Sequence, residues 1–228
     1  MDDDLDLRHF SGVSRLFPLP GVVLFPHAVL PLHIFEPRYR QMTEDALADD
    51  KLVTIVQLQT PGSGTIETLG SPPIETVGCL GRILKHEHLP DGRFNFLLLG
   101  RKRVRLSREL TRDKLYRIAE VEIIDDLYND SPEEPRRSEL IALFRTAFER
   151  RHQLDDDLAS ILETAIPLGV LTDIVAHALG LPAKLKQTLL VEPRVDGRAD
   201  ALLSILRQIL GPESGTSRRP FPPPFSSN

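Results

Sequence analysis

The chain has 228 residues, which is long enough for one large domain or two small ones with a buried core. Apolar residues make up 41%, charged residues make up 27% and the formal net charge is −5, a composition typical of a soluble globular protein. The acidic balance argues against a whole-molecule attraction to nucleic acid or to an anionic membrane, and the single cysteine excludes an internal disulfide.

The two ends of the chain differ in composition from the rest. The N-terminal "MDDDLDLRHF" carries four aspartates where an export signal has a basic start and an apolar run. No window approaches the roughly 18 uncharged apolar residues that a membrane helix requires. We therefore expect a cytoplasmic protein without membrane association, with residues 1–13 and the proline- and serine-rich residues 212–228 as disordered tails.

Residues 14–128 alternate short apolar runs with turn residues, which predicts a β-rich domain. "RLFPL" and "AVLPLHIF" have the pattern of short strands, and their prolines confine them to sheet edges or strand ends because proline donates no ladder hydrogen bond. Pro37 suits the first position of a helix that runs to about Ala48. "KLVTIVQLQ" follows as a buried strand.

A long β-hairpin is the strongest strand signal. "ETVGCLGRILKHEH" and "RFNFLLLGRKRVRLS" flank the turn sequence "LPDG", and two strand runs around Pro-Asp-Gly predict a hairpin. Glycines inside these runs predict bulges or bends that let a sheet curl into a barrel. They are Gly78, Gly81 and Gly100. "LYRIAEVEII" is a further strand.

Residues 129–211 carry apolar residues at helical spacing, which predicts a helical bundle. The first helix starts near Ser131-x-x-Glu134, a pattern typical of helix N-termini. "LTDIVAHALG" is expected to end at a glycine cap, Gly180, and the last helix at Gly211. The other predicted helices lie in "DDDLASILETAI" and "LPAKLKQTLL".

Histidines are the candidates for a metal site. His27, His33 and Glu36 offer three ligand groups, but a proline breaks the chain between the histidines and their spacing does not place both on one helical face. His86 and His88 would share one side of a strand, yet no third ligand lies nearby in the sequence. We expect structural histidines and no metal.

Motifs of catalysis and nucleotide binding are missing from the sequence. There is no Gly-x-Ser-x-Gly elbow, no Gly-x4-Gly-Lys-[Ser/Thr] loop and no Gly-x-Gly-x-x-Gly after a strand. Cys79 lies in an apolar strand run, where a buried and inert thiol is expected. The sequence therefore predicts a protein that is not an enzyme and has no cofactor.

One basic stretch, "RKRVRLSR", supports an alternative function. Arg101, Arg103 and Arg105 alternate along a predicted strand, so they would share one face and offer a row of guanidinium groups to phosphates or acidic peptides. Such a row would make the protein RNA-binding. Against this, the net charge is acidic and aromatic residues are only 6%. The other interpretation is a solvent-facing strand whose repelling charges prevent aggregation.

Three segments resemble one protein family. "FPLPGVVLFPHAVLPLHIFEPRY" resembles the opening of the N-terminal, substrate-binding domain of Lon proteases. The resemblance continues through "VGCLGRILKHEHLPDGRFNFLLLGRKRVRL" and "LTDIVAHALGLPAKLKQTLL" and covers about residues 14–211. It implies an α+β fold, in which a PUA-like, partly open β-barrel with one helix is followed by a C-terminal helical bundle.

The resemblance also implies a function. Lon proteases continue into an ATPase module and a Ser–Lys protease module, for which this chain has neither a phosphate loop nor room. "HIFEPRYR" resembles the stand-alone bacterial Lon-domain proteins, for which polypeptide binding without a defined reaction is implied. We therefore expect a non-catalytic adaptor in protein quality control that binds unfolded or partner polypeptides.

The expected contacts lie at the start of the first helix. Phe35 and Tyr39 would supply apolar surface with Arg38 beside them, and extended peptide would add to a free strand edge. For Tyr39 the alternative is packing of the helix onto the barrel. The sequence leaves open whether Phe35 and Tyr39 face the core or the solvent, and it predicts no oligomeric state.

Overall fold

The structure is a computed structural model that describes residues 7, 10–59, 72–111, 113–149, 164 and 166–211. The strands are β1 (Val13–Leu19), β2 (Val29–Ile34), β3 (Leu52–Gln57), β4 (Val77–His88), β5 (Phe94–Leu110) and β6 (Ile118–Ile124). The described helices are α1 (Pro37–Ala48), α2 (Glu134–Glu149), α3 (Leu168–Ala178), α4 (Ala183–Val191) and α5 (Val195–Leu210). The helix predicted in "DDDLASILETAI" lies almost entirely outside the described residues.

The six strands form one mixed sheet in the order β2-β5-β4-β3-β1-β6. β1 and β3 are parallel, and the other pairs are antiparallel. β5 is 17 residues long, so its first half pairs with β2 and its second half pairs with β6. The β5–β6 pairing curls the sheet into the partly open, PUA-like barrel that was expected, and β2 lies beyond the curled part.

Close approaches of the backbone explain the glycines of the hairpin. The register between β4 and β5 shifts between Leu80 and Gly81, which confirms the bulge predicted there. At Gly100, an added Cβ atom would lie 2.0 Å from the carbonyl oxygen of Phe25, so no larger residue fits without displacing backbone. The long strands therefore bend where their glycines let other segments come near.

The barrel interior holds the smaller of two apolar clusters. The five strands of the curled part contribute Leu16, Leu52, Val56, Leu80, Val104, Ala119 and Val121. Inside the barrel, the hydroxyls of Ser14 and Thr54 are 2.7 Å apart and form a buried hydrogen bond. Leu7 and Phe10 also pack on this cluster, so the prediction of a disordered tail is wrong for these two residues, which bury apolar surface instead.

The larger cluster lies between the outside of the strands and the helices. Strand residues that alternate with the interior ones, such as Phe17 and Ile55, pack there together with Phe144 of α2 and Leu202 of α5. The strands are therefore buried on both faces over much of their length. This explains why β3 is a nearly continuous apolar run and not an alternating one.

The helix ends agree only in part with the predicted caps. α5 ends at Gly211 as predicted, and this C-cap has a φ of 71°, a positive value that glycine adopts at little cost. The predicted cap at Gly180 is wrong, because α3 ends at Ala178 and Leu179 is extended with a ψ of 134°. Pro182 opens the next helix so soon that the connection runs extended and needs no left-handed residue.

Candidate functional site

The three residues predicted to contact peptide do not share one surface. Phe35 follows β2 with 61% of its surface exposed, whereas Tyr39 is buried with 6% exposed. The Tyr39 ring packs on Phe17 with 4.2 Å between the ring centroids, and its pKa is raised by burial. Phe35 therefore faces solvent. Tyr39 packs α1 onto the barrel, which is the alternative that the sequence analysis gave for this residue.

Arg38 lies between these two environments. Its side chain is half-exposed and forms an ion pair of 2.8 Å with Glu36. Its guanidinium carbon lies 4.5 Å from the centroid of the Tyr39 ring, a cation–π contact. Arg38 thus covers the outer side of Tyr39 and leaves Phe35 as the accessible apolar residue of the three.

Phe35 continues a row of exposed residues along β2. Because side chains alternate along a strand, Val29, Pro31 and His33 lie on one face, and all three are exposed. Leu97 of β5 pairs with Pro31 and is 36% exposed. We call Val29, Pro31, His33, Phe35 and Leu97 the β2 face.

A groove of about 440 Å³ crosses the β2 face. Two cross-strand rows line it. The first is the mainly apolar row Pro31, Leu97 and Lys85, and the second is the polar row His33, Asn95 and Glu87. The groove is open to solvent and runs across three strands, so it suits a chain segment better than an enclosed small molecule.

Hydrogen bonds fix the polar row. Asn95 donates through Nδ2 to Glu87 Oε2 at 3.1 Å, and its Oδ1 lies 2.7 Å from His33 Nδ1. Arg93 lies 3.3 Å from the other ring nitrogen, Nε2, so both nitrogens of His33 have partners. In the part of the chain that the structure describes, no three histidine, cysteine or acidic side chains are grouped to hold a metal ion.

The predicted row of free arginines is not present, because Arg103 is 2% exposed. Its guanidinium donates through both Nη atoms to the Asp173 carboxylate, and its Nε donates to the carbonyl oxygen of Leu190 at 3.0 Å. Arg105 is exposed and Arg101 is only partly so. The prediction that all three line an open phosphate-binding face is therefore wrong for its central member.

A bulge and the helical cover explain this difference. β4 pairs Leu80 with Lys102 and Gly81 with Gly100, so Arg101 is the extra residue of a bulge and strict alternation is interrupted there. Beyond the bulge, Arg103 lies opposite Cys79, on the side of the strands that the helices cover. Burial raises the pKa of the Cys79 thiol, as expected for an inert buried cysteine.

Arg103 belongs to a buried ionic cluster that the sequence did not reveal. Asp126 lies 3.2 Å from Arg103 and 2.8 Å from Arg198, which is itself 1% exposed. Burial disfavours the charge of Arg103, but Asp173 and then Asp126 outweigh it and raise the pKa of Arg103. We call Arg103, Asp126, Asp173 and Arg198 the ionic cluster; it joins the barrel to α3 and α5.

One sequence signal does point to this cluster. Arg198 lies within the apolar stripe of α5, next to Ala199, and Asp173 lies among the buried residues of α3. A charged residue in an apolar stripe needs a partner of opposite sign, because an unpaired buried charge is very costly. The sequence does not say which residues become partners.

The fold and the surface together define a class of protein. The chain forms a PUA-like α+β domain. Buried ion pairs join its helical half to a partly open barrel, and its exposed apolar sheet face carries an open groove. Within the described residues, no helix is long and apolar enough to cross a membrane. The profile of the family described as "ATP-dependent protease La (LON) substrate-binding domain" matches residues 13–208, and the chain belongs to this family.

Relatives and solved structures agree with this assignment. The chain is 25% identical to the Lon protease of Anaeromyxobacter dehalogenans over 206 residues, which is 90% of this chain and 24% of that protein. It is 29% identical to Lon protease 2 of Syntrophobacter fumaroxidans over 78% of this chain and 22% of that one. The chain therefore spans about a quarter of the length of these relatives.

Two solved domains show the same fold. The Lon N-terminal domain protein from Xanthomonas campestris has a TM-score of 0.61 and 24% identity, with 84% of this chain and 97% of that chain covered. The N-terminal domain of the Mycobacterium avium complex Lon protease has a TM-score of 0.66 and 16% identity, with coverages of 86% and 97%.

Proposed function

We propose that this chain is a non-catalytic polypeptide-binding module that captures exposed apolar segments of unfolded or partner proteins. In this proposal it acts in the cytoplasm as an adaptor in protein quality control. Membership in a family described as a substrate-binding domain supports it. The match concerns that domain and not an ATPase or protease module, which supports a binding role without catalysis.

The observation that carries the proposal is the β2 face. Exposed apolar residues are normal when they are scattered, but a contiguous group around a groove is typical of an interaction site. Phe35, Val29 and Leu97 are 61%, 44% and 36% exposed. Burying such side chains under a bound segment is favourable, because it removes apolar surface from water.

The chemistry of the groove favours broad recognition. Its apolar row contacts side chains of a bound segment without a directional requirement, and Lys85 and Glu87 give the groove one charge of each sign. The His33–Asn95–Glu87 hydrogen bonds hold the polar row in place, and Glu87 is its one charged member. We expect weak affinity for many apolar sequences and little preference for acidic or basic ones.

A binding assay with an unfolded probe tests this proposal. Reduced and carboxymethylated α-lactalbumin, which does not refold, is titrated into the labelled chain, and native α-lactalbumin is the folded control. The proposal predicts saturable binding of the unfolded form only, with little dependence on salt because the contacts are apolar. Equal binding of both forms, or none of the unfolded one, would contradict it.

A further inference from the structure

The edge of the sheet at β2 has a defined set of backbone groups. β2 is the last strand in the sheet order, and among the described residues it pairs with β5 alone. The register from Val29 opposite Leu99 to Ile34 opposite Phe94 has no shift, so β2 is regular along its length. One side of this strand is therefore a sheet edge.

One hydrogen bond determines which groups face outward. The N–H of Gly100, at the start of the β2–β5 ladder, donates to the carbonyl oxygen of Ala28 at 2.8 Å, so this carbonyl points toward β5. In an extended strand, the N–H and C=O of one residue point to the same side, and those of the next residue point to the other side. Leu30 and Leu32 therefore face β5, and the odd-numbered residues of β2 face away from it.

The outward-facing residues are Val29, Pro31 and His33. Val29 and His33 each direct a donor and an acceptor outward, and no hydrogen bond from either N–H is found outside the sheet ladder among the described residues. Pro31 directs only its carbonyl outward because proline has no N–H. The edge thus has two complete pairing positions four residues apart, about 13 Å along the strand, with an acceptor-only position between them.

We propose that this edge pairs with an extended segment of the bound polypeptide, which adds to the sheet as a seventh strand beside β2. The inference rests on the proposed function and concerns the part of the polypeptide that lies beside β2, at the margin of the groove. Backbone groups of any sequence make the same hydrogen bonds with Val29 and His33, so the pairing tolerates many sequences. An extended apolar segment fits this place, because its backbone can pair with the free edge and its side chains can contact the apolar face.

Side chains of the added strand have apolar neighbours on both faces of the sheet. On one face they lie beside Val29, Pro31 and Phe35 of the exposed row. On the other face they lie beside Leu30 and Leu32, which are only partly buried and pack at the margin of the larger apolar cluster. The segment that fits is therefore apolar at successive positions, as in the interior strands of an unfolded protein.

Pro31 limits the strength of the pairing. It leaves the opposite carbonyl of the added strand without a donor, which weakens binding and also discourages permanent strand association. The edge can then hold a segment and release it. Restoring a donor at this position is expected to tighten binding, because the ladder gains a hydrogen bond.

Variants of the edge test the proposal with carboxymethylated α-lactalbumin as the probe. His33→Pro removes one outward N–H and no ladder bond with β5, and His33→Ala is its matched control because it removes the same side chain and keeps the N–H. We expect His33→Pro to bind roughly three- to tenfold more weakly than His33→Ala. Pro31→Val is expected to bind tighter than wild type by a similar factor, with Pro72→Val, in an exposed loop, as its control.

Each outcome decides between the inference and the proposed function. If the wild-type chain binds the probe but His33→Pro equals His33→Ala and Pro31→Val equals wild type, the edge is not used and polypeptide binding stands. If the wild-type chain does not bind, both proposals are wrong. If Pro31→Val dimerises in light scattering without tighter binding of the probe, the edge pairs with a second copy and the inference is overturned. Should His33→Pro fail to fold, Pro31→Val decides alone.

Discussion

Two side chains of strand β5, one in each half, have the exposure that their polarity would not predict. In its first half, the apolar Leu97 is 36% exposed on the β2 face. In its second half, the charged Arg103 is 2% exposed within the ionic cluster. The helices cover the face of β5 that carries Arg103, whereas Leu97 lines the open groove, so cover and not residue polarity determines which of the two side chains is buried.

This contrast assigns different roles to the two regions. Because the ion pairs lose hydration when they are buried, the ionic cluster adds little net stability. Its main effect is to fix how the helices dock on the barrel. The β2 face retains unfavourable apolar exposure, which a bound polypeptide would relieve. One region holds the molecule together, and the other is available for a partner.

The largest expected effect comes from breaking the ionic cluster. Asp173→Ala leaves Arg103 buried without its main partner, and we expect it to lower the free energy of unfolding by about 3–5 kcal/mol. Urea denaturation followed by circular dichroism measures this change. Glu120→Ala, which removes an exposed ion pair with Arg108, is the control and is expected to change stability little. Equal effects of the two substitutions would refute the distinction between buried and exposed pairs.

The second prediction concerns Gly100, which lies between the two halves of β5. Gly100→Ala places a Cβ against the Phe25 carbonyl, and this overpacking is expected to cost about 1–3 kcal/mol of unfolding free energy. Gly180→Ala is the matched control because nothing lies within 4 Å of its added Cβ. The same denaturation experiment applies, and a Gly100→Ala protein as stable as its control would show that the close approach is not required.

The third prediction concerns the exposed region. Phe35→Ser removes a side chain of the β2 face that is more exposed than Val29 or Leu97, and losing about 1.4 kcal/mol of apolar contact would weaken binding of carboxymethylated α-lactalbumin about tenfold. The stability of the free chain should stay the same, because Phe35 is already 61% exposed. Leu115→Ser removes a side chain of similar exposure, 63%, outside this face and should bind like wild type. If Phe35→Ser and Leu115→Ser lose the same binding affinity, the probe does not bind at one defined face.

The smallest expected effect appears at alkaline pH. Burial and the hydrogen bond to Asp45 of α1 raise the pKa of Tyr116 to about 12. Because the folded pKa exceeds the unfolded value, its contribution to stability is complete below about pH 10 and is lost as the pH rises toward 12. Tyr116→Phe should lose less stability than wild type over this range. Arg103 keeps its charge throughout this range. If wild type and Tyr116→Phe lose the same stability between pH 10 and 12, groups other than Tyr116 cause the alkaline unfolding.

Local pattern was sufficient for much of the fold. The helix from Pro37 to Ala48 was predicted with its observed bounds, because proline fixes its start and the apolar spacing fixes its length. The hairpin around "LPDG" and the cap at Gly211 also follow from residues close together in the sequence. Membership in the Lon substrate-binding family was recognisable from segments along the chain.

The features that the sequence did not reveal depend on distant contacts. Arg103 pairs with Asp173, 70 residues away, and alternation along β5 gives the side of the strand but not which side the helices cover. For the same reason, the sequence could not decide that Tyr39 is core and Phe35 is surface. The outward-facing groups of β2 require the register with β5, which only the structure provides.

Residue-resolved amide hydrogen exchange tests the central claim, that polypeptides bind at the β2 face and its edge, most directly. Exchange is measured for the chain alone and saturated with carboxymethylated α-lactalbumin. We expect the amides of Val29 and His33 to exchange rapidly in the free chain and to become protected when the probe binds, while those of Leu30 and Leu32 are protected in both states. Binding that leaves Val29 and His33 unprotected, with new protection elsewhere, would contradict it.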